Sequence, residues 1–158
     1  MKTLKELQPL IIEWAKERNI HLLECAPKQY LKLVEECGEL ASAILKGNIE
    51  LQKDAIGDIF VVLVIYAKQL SFEYDDDLNV HKTIKSHKRE VDFHLNGIIN
   101  SSYWVRTRKE EKGYQFCLAG LNEISEILNL DFIECANIAW NEIKNRKGKT
   151  ENGTFIKN

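Results

Sequence analysis

From Ile59 to Ala67 the chain runs through IFVVLVIYA without one charged or strongly polar side chain. A helix over this stretch is apolar on every side, so it must be buried on every side, and the remaining chain has to be built around it. That helix is expected to start just after Asn48, a residue able to cap it, and to run to about Leu70. Neither this run nor any other approaches the length of a membrane span.

The flanking sequence supplies amphipathic helices to surround it. Leu7, Leu10, Ile11, Trp14 and Ala15 recur at three- and four-residue steps, predicting a first helix over Leu4 to Arg18. A second helix begins near Pro27, which a first turn tolerates, and stops at Gly47-Asn48 after Lys46. Its expected apolar stripe is Tyr30, Leu33, Val34, Cys37, Leu40, Ala41 and Ile44. Beyond a loop signalled by Asp75-Asp76-Asp77, Val91, Leu95, Ile98 and Ile99 predict a helix extending through Trp104. After a turn near Gly113, Phe116, Leu118, Leu121, Ile124 and Leu128 mark another, ending at Asn129-Leu130. Asp131 with Glu134 is a capping-box-like start for a last helix through Ile133, Cys135, Ile138, Ala139, Trp140 and Ile143, stopping at Gly148.

Period-two alternation is absent except in the short tail Gly153-Thr154-Phe155-Ile156, and two prolines with eight glycines argue against a turn-dense architecture. The fold class expected is all-α: a single domain over residues 1–158, a bundle of five or six helices with an antiparallel four-helix core completed or extended by oligomerisation. Residues 71–112 are expected to be an insertion, or an arm reaching a neighbouring subunit.

Two acidic runs flank the turn between the second and third helices: Glu35-Glu36-Cys37-Gly38-Glu39 and Asp54-Ala55-Ile56-Gly57-Asp58. Residues three or four apart on a helix are neighbours, so Glu36 with Glu39, Glu35 with Glu39, and Asp54 with Asp58 can each offer two oxygens to one point. Helices joined by so short a turn bring the pairs towards each other. Carboxylates without interleaved histidine or thiol suit a hard cation such as Mg²⁺. On the wheel, Glu36 lies at the edge of the apolar stripe while Glu35 and Glu39 fall nearer the opposite face. Asp58 adjoins the buried run, where an ionised carboxylate is costly unless a cation or donors meet it. Gly38 and Gly57, inside the runs, are placed for close approach of a helix or a ligand.

The last helix leads into the opposite charge: Asn141, Lys144, Asn145, Arg146, Lys147 and Lys149 form a polar and basic run, ending at Gly153, whose cations read either as favoured at a helix C-terminus or as a clamp for phosphate oxygens. The formal net charge of -2 argues against a nucleic-acid polymer as partner. Four cysteines fall in no CxxC pair and the start of the chain lacks a signal peptide's apolar core, so a reduced cytoplasmic setting, a bacterial cell or a phage-infected host, is expected. His81, His87 and His94 have the spacing of neither a ligand pair nor a nucleophile–base pair, which leaves them as surface residues.

The stretch LVEECGELASAILKGN followed by KDAIGDIFVVLVIYA resembles the MazG-like members of the all-α nucleotide pyrophosphohydrolases, whose signature is Glu-Glu-x-x-Glu and then an acidic pair on the next helix. The ending AWNEIKNRKGKTENGTFIK is similar to that of members encoded by bacteriophages. The resemblance implies hydrolysis of a nucleoside or deoxynucleoside triphosphate to the monophosphate and pyrophosphate. It implies dependence on Mg²⁺, with Mn²⁺ as a substitute, and a homo-oligomer, a dimer or a tetramer. Glu36, Glu39 and Asp58 match the family's metal-binding residues. Where the family usually has glutamate three residues before that aspartate this chain has Ala55, so Asp54 would stand in. Glu35 would orient or deprotonate the water, and Asn141, Lys144, Asn145, Arg146 and Lys147 would contact substrate. A di-iron bundle protein would need Glu-x-x-His pairs, which are missing. A non-enzymatic dimerisation or partner-binding module with a solvated acidic face is the remaining alternative.

Overall fold

A computed structural model of the chain describes residues 1–72, 90–108 and 111–157. Among the described residues it contains six α-helices: α1 (Leu4–Glu17), α2 (Ala26–Leu45), α3 (Ile49–Gln69), α4 (Val91–Arg108), α5 (Glu111–Ile127) and α6 (Phe132–Ile143). A 3₁₀ turn, Leu23–Cys25, leads into α2, and a hairpin of β1 (Gly148–Glu151) and β2 (Thr154–Lys157) follows α6. The all-α reading therefore holds, with one small two-stranded addition.

α3 is the axis of the bundle. Every residue from Ile59 to Ala67 is buried, none above 6% exposure, by contacts with α1, α2, α5 and α6. A single chain thus meets the apolar demand of this helix, and that demand gives no reason to call for a second copy.

The α2–α3 connection shows how local sequence sets the site's geometry. Gly47, at φ +63°, ends α2 in a Schellman motif: its N–H bonds the Ile44 carbonyl and the Asn48 N–H bonds Ala43, both at 3.0 Å. Asn48 then caps α3 by accepting from the Leu51 N–H at 3.1 Å. One residue closes one helix and opens the next, so α3 turns back along α2. Asn19, Ser71 and Asn129, all at positive φ, end α1, α3 and α5 by the same pattern of carbonyl contacts.

Several expectations change. Val34 is exposed, and the buried face of α2 runs through Ala26, Gln29, Leu33, Glu36, Cys37, Leu40 and Ala43. Gly113 lies inside α5, not in a turn, and lets it approach Val105 of α4: a Cβ there would lie 2.4 Å from Val105 Cγ2. Asp131 caps α6 through the Ile133 and Glu134 N–H groups, but the Glu134 carboxylate accepts from Lys53 on α3, so no reciprocal box is seen. α6 ends at Ile143 and Gly148 opens a strand. Within residues 71–112, α4 packs on α5 and α2 of the same chain. Asp75-Asp76-Asp77, His81 and His87 lie outside the described residues; His94 is half-buried on α4. All four cysteines are buried and free, and among the described residues no helix is long and apolar enough to cross a membrane.

Candidate functional site

Close packing of α6 on α3 depends on Gly57. A Cβ at that position would fall 2.3 Å from the Cys135 carbonyl oxygen and 2.8 Å from Ala139 Cβ. Glycine here serves helix packing, and it brings the end of α6 alongside Asp58. Gly38, by contrast, has open space where its Cβ would be. Ala55 is buried in the core.

Between α2, α3, the end of α6 and the hairpin lies a cleft of about 420 Å³. Glu36 and Glu39 border it from α2, Asp54 and Asp58 from α3, and Arg146 from the segment after α6. Five residues singled out in the sequence are thus brought together. Glu35 borders no part of it: its side chain is 57% exposed and pairs with Lys32. Asn141, Lys144, Asn145 and Lys147 are exposed and also lie off the lining; Lys144 Nζ donates to Asn141 Oδ1 at 2.7 Å.

The centre of the cleft is electrostatically unusual. Glu36 is only 3% exposed, in the middle of the buried face of α2 rather than at its edge. Lys32, one turn earlier, approaches Glu36 Oε1 at 2.6 Å and donates to Glu35 Oε2 at 2.8 Å. Glu36 Oε2 is buried with no hydrogen-bond partner among the described residues. Burial raises the Glu36 carboxyl above the ordinary range, against the pull of Lys32. Asp58 is pushed up to about 7, first by burial and then by the Glu36 and Asp54 charges, while Arg146 and Lys32 pull it down. Burial disfavours charge on Lys32, but the two glutamates outweigh it and hold the ammonium well above its usual value.

The arrangement is an acid-rich cleft partly neutralised from within. Among the described residues, no three acidic, histidine or cysteine side chains are gathered tightly enough to cage an ion as they stand. The ammonium of Lys32 takes up Glu36 Oε1. Arg146, which borders the cleft as Lys28 and Lys32 do, pairs with Glu142, and its backbone N–H donates to the Ile143 carbonyl at 2.8 Å.

The other end of the cleft is apolar. Ile20, Val61, Val62 and Ile65 border it, together with Trp14 of α1 and Phe155 of β2, whose rings meet edge-to-face at 5.4 Å. Lys32, Glu142 and the whole hairpin contribution were not foreseen as lining. Lys32 precedes Glu36 by one helical turn, a spacing that could have flagged it. The signal for the hairpin was Asn152-Gly153, a two-residue turn with both residues at positive φ.

Residues 27–91 match the family model of the MazG nucleotide pyrophosphohydrolase domain. A protein of Haemophilus phage HP1 (strain HP1c1), described as an uncharacterized 18.2 kDa protein in the rep-hol intergenic region, is 46% identical over 69 residues. That similarity covers 44% of this chain and 42% of the phage protein, so the chain spans less than half of its relative's length. No solved structure matches the chain. The resemblance to the MazG-like family is borne out over residues 27–91, which contain Glu36, Glu39, Asp54 and Asp58; Glu142, the fifth carboxylate bordering the cleft, lies outside them.

Proposed function

We infer that this chain, MazG-like over residues 27–91, hydrolyses a nucleoside or deoxynucleoside triphosphate to the monophosphate and pyrophosphate with help from a divalent metal. The supporting observation is the buried, unpartnered Glu36 Oε2 in a cleft that Glu39, Asp54 and Asp58 also border. An ionised carboxylate oxygen so deeply placed is costly unless a cation or donor meets it. The four side chains offer oxygen donors alone, which fits Mg²⁺ or Mn²⁺. When bound there, such an ion supplies positive charge against the phosphates.

The chain's own groups do the rest. Lys32 and Arg146 are cations within the cleft, free to exchange their carboxylate partners for phosphate oxygens. Exchange by Lys32 also releases Glu36 Oε1 and Glu35. Glu35, once free, is the proposed base for the attacking water. Water then adds across the α–β phosphoanhydride bond, its oxygen and one proton staying with one fragment and the second proton passing through the base to solvent. Lys144, Lys147, Asn141 and Asn145, exposed beside Arg146, are proposed to meet outer phosphate oxygens or the nucleotide. Assembly as a homodimer and a cytoplasmic site of action complete the reading.

Pyrophosphate release from a panel of ordinary and modified dNTPs with Mg²⁺ tests it. Glu39→Gln is expected to lower release at least 100-fold without changing the melting temperature by more than a few degrees, the scale set by removing one charged group at a phosphoryl-transfer site. No release from any nucleotide, with a melting temperature indifferent to Mg²⁺ and Mn²⁺, would refute the hydrolase.

A further inference from the structure

The C-terminal hairpin lies outside the family match, yet Gly153, Thr154 and Phe155 border the cleft. Two strands of four residues are not stable alone in water, so the hairpin is held by what it docks on. Arg18 of the α1 terminus is the tie: its Nη2 donates to the Arg146 carbonyl at 2.7 Å, and the Thr150 hydroxyl donates to the Arg18 carbonyl. At the tip, a Cβ on Gly153 would lie 3.5 Å from both Cys25 Cα and Lys28 Cγ, at the start of α2. The hairpin therefore reaches from the end of α6 across α1 to α2.

Its placement gives the cleft a direction. Along α3 the lining changes from Asp54 and Asp58 to Val62 and Ile65, and Gln29 on α2 donates to the Val62 carbonyl at 3.1 Å. Asp58 and Ile65 are roughly 10 Å apart along a helix axis, about the reach from a phosphate chain to a base. At this far end the Trp14 indole Nε1–H is buried and has no acceptor among the described residues, although Trp14 is only 7% exposed. Arg18 covers the Trp14 ring at 4.5 Å and Phe155 meets its edge, so this donor is fixed in place. The volume of about 420 Å³ suits one nucleotide-sized molecule.

We propose that the hairpin is a substrate-binding element forming the nucleoside end of the cleft, where Phe155 supplies apolar contact, Thr154 a hydroxyl and Trp14 a donor to a base carbonyl or ring nitrogen. This rests on the nucleotide reading above. The chemistry of this end favours a flat, partly apolar group with an acceptor edge over phosphate; Lys28 at the tip and Arg18 on the Trp14 ring are cations at this end, and the tripolyphosphate arm of the test allows for them.

The experiment uses the full chain with Mg²⁺, the four deoxynucleoside monophosphates and inorganic tripolyphosphate as probes, and calorimetry for affinity. Incorporated 5-fluorotryptophan, assigned with Trp14→Phe, reports Trp14 by fluorine NMR. At least one monophosphate is expected to move the Trp14 resonance while tripolyphosphate leaves it in place. Phe155→Ala should weaken that monophosphate about tenfold, the scale of one base–aromatic contact, and leave tripolyphosphate affinity unchanged. Thr154→Val, at an exposed position that does not threaten folding, should weaken it about threefold, the scale of one hydrogen bond. A monophosphate that binds equally to wild type, Phe155→Ala and Thr154→Val, with Trp14 silent, overturns the hairpin's role while leaving the hydrolase intact. Tripolyphosphate moving Trp14 as much as a nucleotide also overturns it, by placing phosphate at this end. Failure of every probe to bind overturns the substrate class itself.

Discussion

Glu36 and Asp58 show how a carboxylate's surroundings change its chemistry. Glu36 is buried and Asp58 half-buried where α2 faces α3, and both have their protonated forms favoured. For Asp58 the carboxyl rises from an ordinary value of 3.8 to about 7, with Glu36 and Lys32 facing it from α2, Asp54 from its own helix and Arg146 from beyond α6. A carboxyl raised on folding binds protons more tightly in the folded chain than in the unfolded one. Its contribution to stability therefore falls as pH rises between about 4 and about 7 and levels off above. In EDTA, denaturant titrations across this window should show Asp58→Asn gaining stability relative to wild type as pH rises. Mg²⁺ should shrink that gain by stabilising wild type at the upper end. A gap between the two proteins that is constant with pH would refute the assigned environment of Asp58.

At the scale of elements, the helix pairing is set by small residues and caps that the sequence displays, while their roles depend on what they meet. Gly38 and Gly57 stand in similar acidic runs, one facing open space and the other the backbone of α6. Gly57→Ala is expected to cost about 1–3 kcal/mol in chemical denaturation, because overpacking pushes α6 away. Gly38→Ala should gain about 0.5–1 kcal/mol through helix propensity alone. Equal effects from the two would contradict the packing described. The turn Gly47-Asn48 and the cap at Asp131 were readable in the sequence because capping is local. Gly113 was misread as a turn because nothing local announces Val105 as its neighbour. Of the hairpin only the second strand shows in the sequence, as the alternation of Gly153-Thr154-Phe155-Ile156; Gly148–Glu151 sits inside a polar and basic run with no apolar period of its own.

For the molecule as a whole, α3 needs no second chain, so the proposed homodimer would rest on other surfaces. Leu31 and Val34 on α2, Leu45 at its end, and Ile49 and Leu51 on the first turn of α3 are exposed apolar residues. Homodimerisation through this side is the expectation, and sedimentation velocity should give twice the chain mass, reverting to a monomer with Leu31→Glu. A wild-type monomer at tens of micromolar would remove it. The all-apolar run, the helical periodicities and the two acidic runs fixed an α-bundle with carboxylates facing each other across one turn, because helix phase and turn length are local quantities. Tertiary structure decided the rest. It put Glu36 at the centre of a buried face, because Leu33, Cys37 and Leu40, not Val34, turned out to face α3. It seated Lys32 among the glutamates and selected Arg146 from a basic run. It also carried a hairpin from the end of α6 to Trp14, because contacts between residues more than a hundred positions apart leave no period in the sequence.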